Sequence, residues 1–242
     1  MKILSIGNSF STDAHRYLHK LASLHGYELE TANLFIGGCS LEMHWQNATE
    51  DNPFYDYEIN GNEAETKISI LSALKKDKWD VITLQQVSHM SGLIDTYEPY
   101  LSSLVKLVKQ FQPQAKLYFH QTWSYEKDSL HEGFLKYNRD QKLMYNHIIS
   151  VSQKAAQSIN AEIIPTGKVI QYLRENTSDF DYENGGISLC RDSFHLSFDY
   201  GRFAAAATWL RRMTGIKIEV TEFENFDKNL LQIIVDAVNR IV

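Results

Sequence analysis

The chain has 242 residues, 43% of them apolar and 22% charged, the proportions of an ordinary globule, which exclude wholesale disorder and fibrous repeats. With 24 Lys plus Arg against 30 Asp plus Glu the formal charge is −6, so the basic footprint of a nucleic-acid binder is missing. Two cysteines, Cys39 and Cys190, rule out a disulfide-stapled scaffold and a four-cysteine zinc centre. No apolar run of signal-peptide or membrane-spanning length occurs, so a cytoplasmic protein with no membrane partner is expected, and in that compartment the two cysteines read as free thiols rather than a redox link.

In chain order, short apolar runs alternate with stretches of helical period, the mark of βα units on a parallel sheet. Five strands are expected, at residues 2–6, 28–34, 81–84, 116–120 and 162–164. Between and after them, amphipathic helices are expected over residues 11–25, 101–111, 144–159, 200–213 and 226–241, with Gly26 and Gly215 as stops. Two long irregular stretches, residues 36–62 and 177–197, are left as loops rich in Gly, Asn, Asp and aromatics; loops of that length in a compact α/β protein tend to carry function. With no repeat, linker or low-complexity run, residues 1–242 read as one domain: a three-layer α/β/α sandwich around a five-stranded parallel sheet, flavodoxin-like.

The chemistry-bearing segments fall where the carboxyl ends of such strands would lie, the place where open α/β sheets bind their ligands. Gly7-Asn8-Ser9-Phe10-Ser11 follows the first strand and opens a helix. Ser9 there reads either as a turn or N-cap serine or as a nucleophile beside unpaired helical N–H groups. Ser11 stands where the second glycine of a Gly-x-Ser-x-Gly elbow would be, and the glycines and lysine of a phosphate loop are missing. A nucleophilic serine needs a general base, and the base needs an acceptor on its far nitrogen. Asp192 and His195, three apart, satisfy that pairing locally. After the second strand, Gly37-Gly38 permit close backbone approach, and one of their N–H groups could face an oxyanion. After the third, Gln85-Gln86 leave a buried strand, which suggests a polar task.

This set resembles the SGNH (GDSL-like) hydrolases in block order: Gly-Asn-Ser-Phe-Ser early, a glycine after the second strand, a polar turn after the third, and Asp-x-x-His near the end. In detail, Ile-Gly-Asn-Ser-Phe-Ser, Leu-Gln-Gln-Val-Ser, His-Gln-Thr-Trp-Ser-Tyr, Ile-Pro-Thr-Gly and Asp-Ser-Phe-His-Leu-Ser look like a bacterial branch of that superfamily catalogued as a domain of unknown function. The resemblance implies a serine esterase with Ser9 as nucleophile, His195 as base, Asp192 as its orienting carboxylate, and the Ser9 and Gly38 N–H groups as oxyanion donors. The superfamily's third donor, an asparagine in a Gly-x-Asn-Asp block, has no counterpart between Val81 and Ser91. Gln86 is the expected replacement, with Gln85 one register away as the alternative.

The resemblance further implies short acyl groups, acetyl above all, on a carbohydrate or small-molecule ester, with no cofactor. Trp45 and Trp123, in expected loops, are candidate sugar-stacking residues; their plain alternative is hydrophobic packing. His44, His89, His120 and His131 lack ligand-like spacing, so no metal site is expected. The rival reading is a non-catalytic carbohydrate-binding or scaffold protein that retains the hydrolase fold.

Overall fold

Five of the apolar runs form the parallel body of one sheet in the computed structural model, which describes residues 1–63 and 66–242. They are β1 (Lys2–Gly7), β2 (Glu30–Phe35), β5 (Val81–Leu84), β6 (Lys116–His120) and β7 (Glu162–Ile164). Two further strands, β3 (Tyr55–Ile59) and β4 (Lys67–Ile68), extend the β2 edge antiparallel, giving the order β4-β3-β2-β1-β5-β6-β7 among the described residues. The five-strand expectation is thereby corrected to seven. The added strands lie in and just beyond the stretch left as a loop, although Tyr55-Asp56-Tyr57-Glu58-Ile59 alternates aromatic with acidic at the period of a strand. The parallel part, β2-β1-β5-β6-β7, is the order whose ligand crevice opens beside the first strand.

Helices cover both faces. On one lie α1 (Ser9–His15), α2 (Leu18–Leu24), α7 (Thr166–Asn176), α8 (Tyr200–Thr214) and α9 (Lys228–Ile241). On the other lie α3 (Leu41–Thr49), α4 (Ile70–Lys76) and α5 (Tyr100–Phe111), with α6 (Gln141–Ser158) reaching both layers. The strand period of two divides the sheet between the layers: Ile3 and Val81 join the core under α8, whereas Leu4, Ile6, Ile82 and Leu84 join the core under α5. No helix among the described residues is long and apolar enough to cross a membrane.

The helix expected over residues 11–25 is two. Gly61 packs against the break, where a Cβ would stand 2.7 Å from the carbonyl oxygens of His15 and Arg16, and Arg16 Nη1 donates to the Gly61 carbonyl at 2.7 Å. That contact joins residues 45 apart, so no local pattern announces it. Helices α3, α4 and α7 were not expected; α3 and α4 are short, and Ser40 and Ser69 cap them by accepting from Met43 N and Ser72 N.

Candidate active site

The turn after β1 is built by its own polar residues. Asn8 caps α1: its side-chain oxygen accepts from the Phe10 N–H at 3.1 Å, and its own N–H donates to Ser11 Oγ at 3.1 Å. Ser11, the residue that replaces the elbow glycine, thus completes a capping box. Gly7 is required by crowding, since a Cβ there would lie 2.1 Å from Ser11 Oγ. Ser9 follows the cap as the first helical residue, where its N–H has no intrahelical carbonyl to reach.

The far end of the chain meets it. His195 Nε2 lies 2.9 Å from Ser9 Oγ and His195 Nδ1 lies 2.8 Å from Asp192 Oδ2. The other Asp192 oxygen accepts from the backbone N–H of His195 at 2.7 Å and of Phe194 at 3.3 Å. Ser193 takes the left-handed region at φ 68° to close this turn, which is sealed by a bridge between Cys190 and Leu196. Partial burial pushes the Asp192 carboxyl up, but the His195 imidazole and the backbone N–H groups outweigh it and hold the carboxyl below its ordinary value. With Nδ1–H committed to Asp192, the imidazole presents Nε2 to Ser9 as an acceptor.

Asp13, one turn beyond Ser9, is a further member of the arrangement. Its carboxylate is fully buried. It accepts from Arg191 Nη1 at 3.0 Å, Arg202 Nε at 2.8 Å and the Leu196 N–H at 3.0 Å. One carboxylate therefore ties the helix that begins at Ser9 to the turn bearing Asp192 and His195. The available signal was an acid on the apolar side of α1, and its partners, 178 and 189 residues away, were invisible to local reading.

The two glutamines are placed otherwise than expected. Gln86 Nε2 donates to the Thr96 carbonyl at 3.0 Å and the Thr96 hydroxyl at 3.1 Å, and its oxygen accepts from the N–H of Leu41 and Val87. Its amide hydrogens are engaged there, and the side chain is absent from the crevice wall; the expectation of Gln86 as oxyanion donor is corrected on that ground. Gln85 is committed as well: Nε2 to Asn8 Oδ1 and Oε1 to His120 Nδ1, both at 2.7 Å, with His120 Nε2 3.1 Å from Thr166 Oγ1. These groups form a hydrogen-bonded row across the ends of β1, β5, β6 and β7 beneath the site. Asn8 Nδ2 extends it to the Cys39 carbonyl at 3.1 Å, positioning the Gly37-Gly38 turn.

Above this row lies a cavity of about 370 Å³ lined by Ser9, Phe10, Gly38, Ser88, His131 and His195 among others. Gly38 adopts φ +66°, with open space where a Cβ would point. Neither tryptophan candidate lines it. Trp123 is fully buried, stacked on Phe10 with ring centroids 4.2 Å apart, and donates from Nε1 to the Phe194 carbonyl at 2.7 Å; it braces the site from behind and has no face open to a sugar. Trp45, on α3, packs against the opposite core. Cys39 and Cys190 are buried free thiols, and burial pushes the Cys39 thiol up to about 12. Among the described residues, no group of three or more His, Cys, Asp or Glu is disposed to hold a metal ion.

This fold is that of the SGNH hydrolases. A protein named as a candidate SGNH hydrolase from Slackia heliotrinireducens superposes at TM-score 0.61 with 21% identity, over 88% of this chain and 98% of that one. An acetylxylan esterase from Geobacillus stearothermophilus superposes at 0.56 with 14% identity, over 91% and 97%. The chain itself belongs to the family described as a domain of unknown function, DUF4886, which matches residues 2–230. A crystal structure of a member from Bacteroides uniformis superposes at TM-score 0.91 with 35% identity, covering 99% of this chain and 93% of that one. Among curated proteins none matches at a significant level.

Proposed function

We propose that the protein is a serine ester hydrolase acting on short acyl esters, acetyl above all, borne by a carbohydrate or similar polyol. The observation that carries the reading is the hydrogen-bonded row Ser9–His195–Asp192, with steps of 2.9 and 2.8 Å. Ser9 Oγ attacks the ester carbonyl as its proton passes to His195 Nε2, and the carbonyl π pair moves onto oxygen, where the N–H groups of Ser9 and Gly38 face it. The tetrahedral intermediate expels the alkoxide, which takes the proton from Nε2. Water then attacks the acyl-serine, with His195 again accepting and returning a proton, and releases the acid. Asp192 holds Nδ1–H throughout and stabilises the imidazolium.

The cavity of about 370 Å³ supports a small acyl group, and the relatives named acetylxylan esterases support acetyl on a sugar. The engagement of the Gln86 amide with Thr96 favours the rival, a sugar binder without turnover. A panel of nitrophenyl esters of increasing acyl length, run beside acetylated sugars, separates the two. Turnover falling with acyl length and lost in Ser9→Ala is expected. Wild-type and Ser9→Ala proteins equally inactive, with Ser9 untouched by serine-directed phosphonates, would refute the hydrolase.

A further inference from the structure

Since the amides of Gln85 and Gln86 are engaged elsewhere, the source of a third oxyanion donor must be sought on the crevice wall itself. Three neighbouring strands, β2, β1 and β5, end side by side and deliver Gly38, Ser9 and Ser88, all of which line the one cavity. Ser88 opens a short 3₁₀ turn two residues past the glutamines. Its Oγ lies 2.7 Å from the hydroxyl of Tyr125.

We propose that the Ser88 hydroxyl is the third oxyanion donor and that Tyr125 is the positioning residue that orients it. This rests on the reading of Ser9 as an acylated nucleophile. Tyr125 is fully buried, its ring held between His131, Phe194 and Phe134 at centroid distances of 5.0, 5.4 and 5.7 Å. Burial raises its phenol well above the ordinary value, so the group stays protonated. Among the described residues, Ser88 Oγ is the one hydrogen-bond partner of that hydroxyl. A serine oxygen can accept from the phenol while its own hydrogen points into the cavity. As the carbonyl oxygen gains charge, the second bond becomes charge-assisted and the first is polarised with it.

Of the other side-chain donors on this wall, the Asn8 amide donates to the Cys39 carbonyl at 3.1 Å, and the rest are the imidazoles of His89, His131 and His195. His131 accepts from the Gly133 N–H at 3.0 Å on Nδ1, so its proton sits on Nε2. Its ring lies 5.0 Å from Phe194, which itself lies 4.2 Å from the His195 ring. His89 is stacked 5.7 Å from His131, and His131, Phe194 and Tyr125 form one aromatic cluster beside His195. Ser88 comes from the strand adjoining β1, the strand that leads into Ser9.

Steady-state hydrolysis of nitrophenyl acetate by wild type, Ser88→Ala, Ser88→Cys and Tyr125→Phe tests the assignment, together with inhibition by phenylboronic acid, whose tetrahedral adduct on Ser9 places an oxygen where the oxyanion would be. In Ser88→Ala, kcat is expected to fall by about 10²-fold with KM within about threefold, and boronate affinity to fall in parallel. Tyr125→Phe is expected to lose less, and the Ser88→Ala/Tyr125→Phe double variant no more than Ser88→Ala alone. Ser88→Cys keeps the volume with a weak donor and decides the matter if the alanine variant does not fold. An active wild type whose folded Ser88→Ala or Ser88→Cys variant keeps kcat and boronate affinity within threefold overturns this role for Ser88 and leaves the esterase standing. A wild type that neither hydrolyses the ester nor reacts with phosphonates overturns the esterase reading, and this assignment with it.

Discussion

The Asp13 carboxylate, wholly buried on α1, accepts a 2.8 Å hydrogen bond from Arg202 Nε on α8. Arg191 and the Leu196 N–H share the same two oxygens, so the spacing between the helix of Ser9 and the turn of His195 is set by a buried carboxylate held by two partly buried guanidinium groups. Removing the charge of a buried carboxylate leaves its partly buried cationic partners uncompensated. Asp13→Asn is expected to lower unfolding free energy by about 3 kcal/mol, read from urea midpoints, and to depress kcat in the protein that remains folded. A variant with wild-type midpoint and turnover would contradict the clamp.

Asp192 differs because its side chain is 42% exposed and contributes little to the core. In Asp192→Asn one oxygen can still accept the backbone N–H groups of Phe194 and His195, but an amide N–H then faces His195 Nδ1. The imidazole turns to the tautomer with its proton on Nε2, which cannot take the proton of Ser9. Turnover is expected to fall by about 10³- to 10⁴-fold with the melting temperature within a few degrees of wild type. Retention of more than a tenth of the activity would remove Asp192 from its role.

Acid sensitivity follows from three buried histidines. Burial pushes His15, His44 and His120 down from 6.5 to about 3, so each stays neutral in the folded protein, whereas the unfolded chain protonates near pH 6.5. Below that pH the unfolded state binds more protons. Stability is therefore complete above about pH 7, declines as pH falls from 6.5 towards 3, and levels off below. At pH 5 each histidine costs about 2 kcal/mol. Urea midpoints at pH 7.5 and 5 are expected to differ accordingly, and His44→Gln to make that difference smaller by about 2 kcal/mol. A midpoint flat across this range would show that these rings titrate in the folded state.

Local chemistry accounts for what could be read without coordinates. The runs at β5, β6 and β7 match the expected strands residue for residue, because a buried parallel strand needs continuous apolar residues and sequence order alone records that. The candidates Ser9, Gly38, Asp192 and His195 could be named for a related reason: each lies in or beside a turn whose small or polar residues are written consecutively. For Trp123 the sequence leaves sugar stacking and hydrophobic packing open, because its setting among loop residues says nothing of Phe10 stacking on it; the fold gives the packing.

From the order of residues alone came the βα alternation, the site's position at the strand ends, and the local pairing of Asp192 with His195, all properties of neighbours along the chain. The fold decided the rest: the break between α1 and α2, the two added strands, the burial of Asp13 against Arg191 and Arg202, and the turning of Gln86 towards Thr96 rather than the crevice. Which hydrogen-bond partner an amide or carboxylate takes depends on groups brought close from tens to nearly two hundred residues away, and only the folded chain sets those distances.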